Sequence, residues 1–271
     1  MKVVRLYRYP VKGLSSELMA KVELVPGHGF PGDRQYAVTD GSIEIDPVAP
    51  QPAAKSHFLM LAKYEALAEL QTTFHSQPDR LEVRAKDSTR EFKLSDEQDR
   101  KELAWHLARM AGADLRGEPK VVYSPGHQFT DVSVHSPDLM RSISLINLET
   151  VADLAHRVGM DLDPLRFRAN LYFKQAAPST ELDWVGQRLQ IGGVILKVVR
   201  RTRRCPATSV NPKTAVRDIN LPLAIREYRE NADLGIYASI ERGGTILPGD
   251  TLTLLPPSDT PGDAIQESQV E

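Results

Sequence analysis

Residues 234–255 read LGIYASIERGGTILPGDTLTLL, two runs rich in Ile, Tyr, Thr and Leu on either side of Gly243-Gly244. Such residues suit a pleated, half-buried surface, and the glycine pair predicts a hairpin turn between two strands. Moving toward the N-terminus, residues 222–230 predict a short helix whose Pro222 is tolerated in the first turn. Residues 188–200 (RLQIGGVILKVVR) and 168–173 (RANLYF) read as strands. Residues 148–158 predict a helix capped by Asn147, faced by Val151, Leu154 and Ala155, and ended by Gly159. Many short strands, Gly-rich turns and few helices predict an α+β, predominantly β chain: a closed or half-closed β-barrel with peripheral helices. Regular strand-helix alternation and a G-x-G-x-x-G loop are both missing, which argues against a doubly wound sheet.

The N-terminal half is also β-rich. VVRLYRYPV (3–11), LMAKVELVP (18–26) and RQYAVTD (34–40) are strands broken by Pro10, PGHGFPGD and Asp40-Gly41. Residues 46–56 (DPVAPQPAAKS) carry three prolines and predict an extended loop. In residues 57–74, Leu59, Ala62, Leu67 and Leu70 fall near helical spacing, although a strand before Lys63 fits as well. LEVRA (81–85) and REFKLS (90–95) predict a hairpin, and residues 96–111 a helix with acids at its start and Gly112 as its stop. Gly112, Gly117 and Pro119 mark the best boundary, giving domains 1–119 and 120–256. Residues 257–271 hold Asp259, Asp263, Glu267 and Glu271 with no basic residue, and predict a disordered acidic tail.

Charge and composition exclude some classes. With 34 Lys and Arg against 36 Asp and Glu, no overall field favours a nucleic-acid polymer or a membrane surface. The longest apolar run is far shorter than the roughly 18 to 20 residues of a membrane span, and the N-terminus reads as a strand and not as a secretory signal. A single cysteine forms no intramolecular disulfide, so a reducing cytoplasm is the expected compartment.

That cysteine lies in RRTRRCPATSVNPKT (200–214), the densest positive cluster of the chain. Strict strand alternation puts Arg201 and Arg203 on the face of Cys205, and Arg200 and Arg204 on the other. Guanidinium groups favour the thiolate, a better nucleophile and a better soft-metal ligand. Pro206 ends the strand and leaves Thr208, Ser209 and Asn211 as loop donors for an anion. The blander alternative is a buried, inert thiol beside a solvated arginine face. Lys12 in YPVKGL, Arg34 in PGDRQYAV, and Arg166, Arg168 and Asn170 alternating in RFRAN add polar groups at strand ends, where a barrel carries its binding loops.

In this order and spacing, YPVK, GDR, RFRAN, RCPATSVNP, LGIYASI and the closing G-x-I-x-x-G-D resemble the MOSC family, and specifically members with an N-terminal MOSC β-barrel domain, among them amidoxime-reducing proteins. The resemblance covers nearly the whole chain. It implies a molybdenum cofactor, a pyranopterin dithiolene with a terminal phosphate, whose metal is ligated by Cys205. It also implies cofactor contacts from Lys12, Arg34, Arg168, Asn170, Thr208 and the Arg203-Arg204 pair, and from the helix start at Asn147 and Thr150. Two contact positions depart from the family pattern: Gly13 stands where many relatives have serine, and Asn211 where the loop often carries aspartate.

The leading functional expectation is a molybdenum-cofactor oxidoreductase, with Cys205 as catalytic metal ligand, that removes oxygen from hydroxylamines, amidoximes or N-hydroxylated bases. No further thiolate or nucleotide loop supplies electrons, so a separate ferredoxin or flavin reductase is the expected donor. The alternatives are a sulfur or cofactor carrier using the same thiol, and a non-catalytic module binding a phosphate ligand. The seven histidines are scattered without metal-ligand spacing; His127 and His135 flank a loop containing Asp131 that could line an entrance.

Overall fold

The computed structural model describes residues 1–77 and 79–256. The expected acidic tail lies outside the described residues. The first strands are β1 (Lys2–Arg8), β2 (Glu17–Met19), β3 (Val22–Leu24) and β4 (Tyr36–Val38), followed by a meander of β5 (Gln71–Ser76), β6 (Asp79–Ala85) and β7 (Ser88–Lys93). Helix α1 (Glu97–Met110) leads into β8 (Val121–Tyr123), and α2 (Pro137–Met140) into β9 (Ile143–Asn147). Then come α3 (Leu148–Val158), β10 (Leu171–Lys174), β11 (Arg188–Ile191), β12 (Val194–Arg203), α4 (Leu221–Arg229), β13 (Asp233–Arg242), β14 (Gly244–Ile246) and β15 (Leu252–Leu254).

Eight strands form one curled sheet in the order β15-β11-β12-β13-β9-β10-β1-β2. Its ends meet: Val3 N–H donates to the Asp250 carbonyl and Leu252 N–H to the Met1 carbonyl, at 2.9 and 3.0 Å. The fold is therefore predominantly β, with a barrel-like sheet and peripheral helices. Period-2 alternation points Leu6, Leu145, Leu171, Leu189, Leu196, Val198, Ile236 and Leu252 into its interior. β9 and β10 are the parallel pair, joined through α3. All five residues of β9 are buried, because α3 and Tyr172 cover its outer face against Ile146, Val151 and Leu154. α3 begins and ends as its sequence predicts: the Asn147 side chain accepts from Glu149 N–H, and Gly159 adopts φ 66°.

In the N-terminal half, α1 lies against the β5–β7 meander, where Leu103 and Leu107 pack with Leu81, Val83 and Phe92. Strand pairing runs across residue 119, since β1 pairs with β10, β3 with β14 and β4 with β8.

Three local expectations need correction. Residues 57–74 hold no α-helix; a short 3-10 turn at Glu65–Glu69 leads into β5, while Leu59, Leu67 and Leu70 still supply buried contacts. Gly243-Gly244 does not close a hairpin. β14 leaves β13 to pair with β3, and a Cβ at Gly243 would lie 2.4 Å from the Leu24 carbonyl, so the glycine permits close approach of that strand. Finally, irregularities between Val198 and Arg200 and between Arg201 and Arg203 break the alternation expected before Cys205.

Candidate functional site

The site gathers loops at one end of the barrel. After β1 the chain turns through Tyr9, Lys12 and Gly13, and Tyr9 N–H donates to Asp33 Oδ1 at 2.8 Å. Gly13 has φ 85°, and a Cβ there would stand 2.9 Å from the Leu59 carbonyl, so this position suits glycine for both conformation and space. Arg34 pairs with Asp33 at 2.5 Å and donates to the Arg168 carbonyl at 2.8 Å. Arg168 donates to the Leu14 carbonyl at 2.8 Å. Both guanidinium groups lie 4.3 Å from the centroid of the Tyr9 ring, within cation–π range. Both arginines also hold positive φ, 46° and 51°, conformations uncommon outside glycine.

Arg204 turns inward, opposite to the exposed Arg203. It donates to the Leu234 and Phe167 carbonyls at 2.7 and 2.9 Å, and a Cβ on Gly235 would come within 2.9 Å of its Nη2. The buried Nη2 atoms of Arg168 and Arg204 have no hydrogen-bond partner. Burial, then the neighbouring Arg34, lowers the pKa of Arg168 to about 10, and burial likewise lowers that of Arg204. Burial raises the pKa of the Tyr237 phenol, which lies near enough to Arg204, Asp131, Arg34 and Cys205 to feel their charge.

Cys205 is half-buried at the end of β12, opening the turn Pro206–Ser209. The Thr208 hydroxyl donates to its carbonyl at 2.9 Å. Lys55, from the proline-rich loop, faces the thiol and pairs with Asp131 at 3.2 Å. Lys12 pairs with the other oxygen of Asp131 at 2.5 Å and donates to the Phe129 carbonyl at 3.0 Å. Burial pushes Asp131 up, but the two lysines outweigh it and hold the carboxyl well below its usual range. Around one thiol and one phenol, Lys12, Lys55, Arg34, Arg168 and Arg204 outnumber Asp33 and Asp131, leaving positive charge for an anion. A small crevice of about 80 Å³, lined by Tyr9, Gly13, Arg168, Ala207 and Val210 among others, runs beside it.

The remaining expected residues sit in internal networks. Asn170 is buried, donates to the Tyr7 carbonyl and accepts from Ser144 N–H and Oγ. Asn147 and Thr150 bond the buried Glu181 carboxylate. Asn147 pairs with Phe173, at the opposite end of β10 from Arg168. Asn211 donates to Asp218, which also receives Arg166 at 2.6 Å, so this pair braces the loop after the cysteine. Sequence reasoning did not single out Lys55, Asp33, Tyr9 or Tyr237 as site residues. Asp33 was visible beside Arg34 in the GDR turn, whereas nothing in residues 46–56 marked Lys55.

The chain spans about a third of the length of the curated relatives that it matches first. It is 26% identical over 244 residues to a molybdenum cofactor sulfurase from Caenorhabditis briggsae, covering 87% of this chain and 33% of that one. It is 30% identical over 123 residues to human mitochondrial amidoxime-reducing component 1, covering 41% and 36%. Among solved structures, the YuaD protein from Bacillus subtilis aligns over 93% of both chains at 15% identity, with a TM-score of 0.41. The family model of the MOSC N-terminal beta barrel domain matches residues 1–118, and that of the MOSC domain matches residues 119–253. With almost every described residue inside these two matches, the chain belongs to the MOSC family.

Proposed function

We propose that this chain binds a molybdenum cofactor, with Cys205 as the side-chain ligand of the metal, and reduces N-hydroxylated compounds with electrons from a separate protein. One observation carries the reading: a half-buried thiol faces Lys55, in a cleft where Arg168 and Arg204 each keep a buried Nη2 without a partner. Buried donors are normally satisfied, so two orphaned guanidinium nitrogens fit a ligand rich in acceptor oxygens. A thiolate fits a soft metal already bound by dithiolene sulfurs. The residues present therefore fit the group, and similarity to a relative named for the molybdenum cofactor and to one named for amidoxime reduction supports the same reading.

When bound, the cofactor supplies two-electron oxygen-transfer chemistry. The chain's own residues do the rest. Lys12, Arg34, Arg168 and Arg204 offset the ligand's negative charge, and the Arg166–Asp218 pair holds the cysteine loop in place. Both sides of residue 119 contribute: Lys12, Arg34 and Lys55 from one, and Asp131, Arg168, Arg204 and Cys205 from the other. Overall, R–NHOH, two electrons and two protons give R–NH2 and water. The electrons come from a ferredoxin or flavin reductase, because the one cysteine of this chain is committed to the metal. No helix among the described residues is long and apolar enough to cross a membrane, and the lone cysteine suits a reducing compartment such as the cytoplasm.

Protein made in a host that synthesises the cofactor should carry about one molybdenum per chain, since one thiolate is available as ligand. Cys205→Ala should fold and lose the metal. Wild-type protein without molybdenum would remove the oxidoreductase reading. The similarity to the sulfurase over 87% of the chain favours a second reading, in which Cys205 carries sulfur onward. Sulfane sulfur on Cys205 in metal-free active protein would favour it.

A further inference from the structure

The two acids of the cleft are held differently. Asp33 is almost fully buried and is fixed by the Tyr9 backbone N–H as well as by Arg34. The Asp131 side chain is 43% exposed, and among the described residues its oxygens are held by Lys12 and Lys55 alone. It sits on the loop between β8 and α2, so a rotation about its side-chain bonds moves the carboxylate away without breaking the hydrogen bonds of a strand or helix. The lysines, by contrast, are aimed. Lys12 is only 8% exposed, is anchored to the Phe129 carbonyl, and pairs with no other acid among the described residues; Lys55 faces Cys205.

We propose that Asp131 is a displaceable counter-ion, which keeps Lys12 and Lys55 converged beside Cys205 while no anion is bound and yields them when an anion enters the cleft. The inference rests on the cofactor-binding reading above and adds a residue that sets how tightly the anion is held. Asp131 offers the two lysines one water-screened carboxylate, whereas an anion that also reaches the orphaned Nη2 of Arg168 or Arg204 adds charge-assisted bonds to donors otherwise unsatisfied. Exchange therefore favours the ligand, and the cost of displacing Asp131 is deducted from its affinity. Lysines pre-placed by a carboxylate also avoid ordering two long side chains at the moment of binding.

The test uses cofactor-free full-length protein and inorganic phosphate as the probe, titrated by calorimetry at low salt. Asp131→Asn should bind phosphate about three- to tenfold more tightly than wild type, the range set by releasing two partly exposed ion pairs. Asp131→Glu should stay within twofold of wild type, and Lys12→Met combined with Asp131→Asn should lose the gain. Unchanged or weaker binding by Asp131→Asn, or a gain that survives in the double variant, overturns the proposal. Should Asp131→Asn fold poorly by circular dichroism, Asp131→Ser makes the same comparison. Molybdenum retained after dialysis gives a second readout, with Asp131→Asn expected to keep more. Wild-type protein without molybdenum defeats the enzyme reading and leaves the phosphate comparison to be judged by itself.

Discussion

Replacing Arg168 by Met should make the cofactor-free chain more stable and its hold on the cofactor weaker. Arg168 is a largely buried cation whose guanidinium makes its one hydrogen bond among the described residues to the Leu14 carbonyl, with Arg34 as a like-charged neighbour. Its fall from 12.5 to about 10 converts, at 1.36 kcal/mol per pH unit, to roughly 3 kcal/mol of penalty on the charged form in the folded state. Because the folded value lies below the unfolded one, the full penalty is present at neutral pH and is relieved only as pH rises past about 10. Methionine fills similar volume without charge, but it leaves Leu14 without that donor, at a cost of about 1 to 2 kcal/mol. The net expectation is a gain of about 1 to 2 kcal/mol, or roughly 2 to 8 °C in Tm for a chain of this size. Urea unfolding of the cofactor-free protein at pH 7 measures the first effect. Molybdenum remaining after dialysis measures the second, where loss of a charge-assisted bond should weaken retention by about 1.5 to 3 kcal/mol. A lower Tm together with undiminished molybdenum would refute the reasoning, since Arg168 would then be a structural donor and not a ligand group.

Gly235→Ala should destabilise the chain by about 2 to 4 kcal/mol and displace Arg204, because its Cβ would lie 2.6 Å from both the Leu145 carbonyl and Ile146 Cδ1 at φ 81°. Chemical denaturation tests the cost, and an unchanged midpoint would contradict it. Molybdenum-loaded protein should be inactive with NADH and an N-hydroxylated substrate, yet turn over with reduced viologen or a ferredoxin or flavin reductase. Turnover with NADH alone, followed by substrate loss, would reveal a redox site in the chain that this reading lacks.

Local signals were legible wherever the chain solves a problem locally. The α3 cap at Asn147, its Gly159 stop and the alternation over Val194–Val198 needed only near neighbours, and these formed as read. Gly243-Gly244 misled because the partner of β14 is β3, more than two hundred residues earlier, and no turn rule reaches that far. Residues 57–74 showed helical spacing because Leu59, Leu67 and Leu70 do serve one core. They reach it through a 3-10 turn and the start of a sheet that only β6 and β7 complete. The site followed the same division. Arg34, Arg168 and Arg204 announced themselves as charge at strand ends, and Arg204, not Arg203, turns inward because it shares the register of the buried Val194, Leu196, Val198 and Thr202.

The same arginines show why a close reading of spacing could not have located the site fully. A chain selected only for stability has little reason to bury Arg168 and Arg204 against carbonyls, leave one nitrogen of each unsatisfied, and open space for the second with Gly235. It has still less reason to hold Arg34 and Arg168 at positive φ, where each costs of order 1 to 3 kcal/mol of backbone strain. These costs persist because the barrel core over-determines the surrounding backbone: the interior residues of β1, β9, β10 and β13 pack in one continuous cluster. Lys55, on the short 3-10 turn Lys55–His57, and Asp131, on the connection between β8 and α2, complete the arrangement, so their meeting beside Cys205 is a product of the fold, and the charge they bring was invisible until the barrel set those segments side by side.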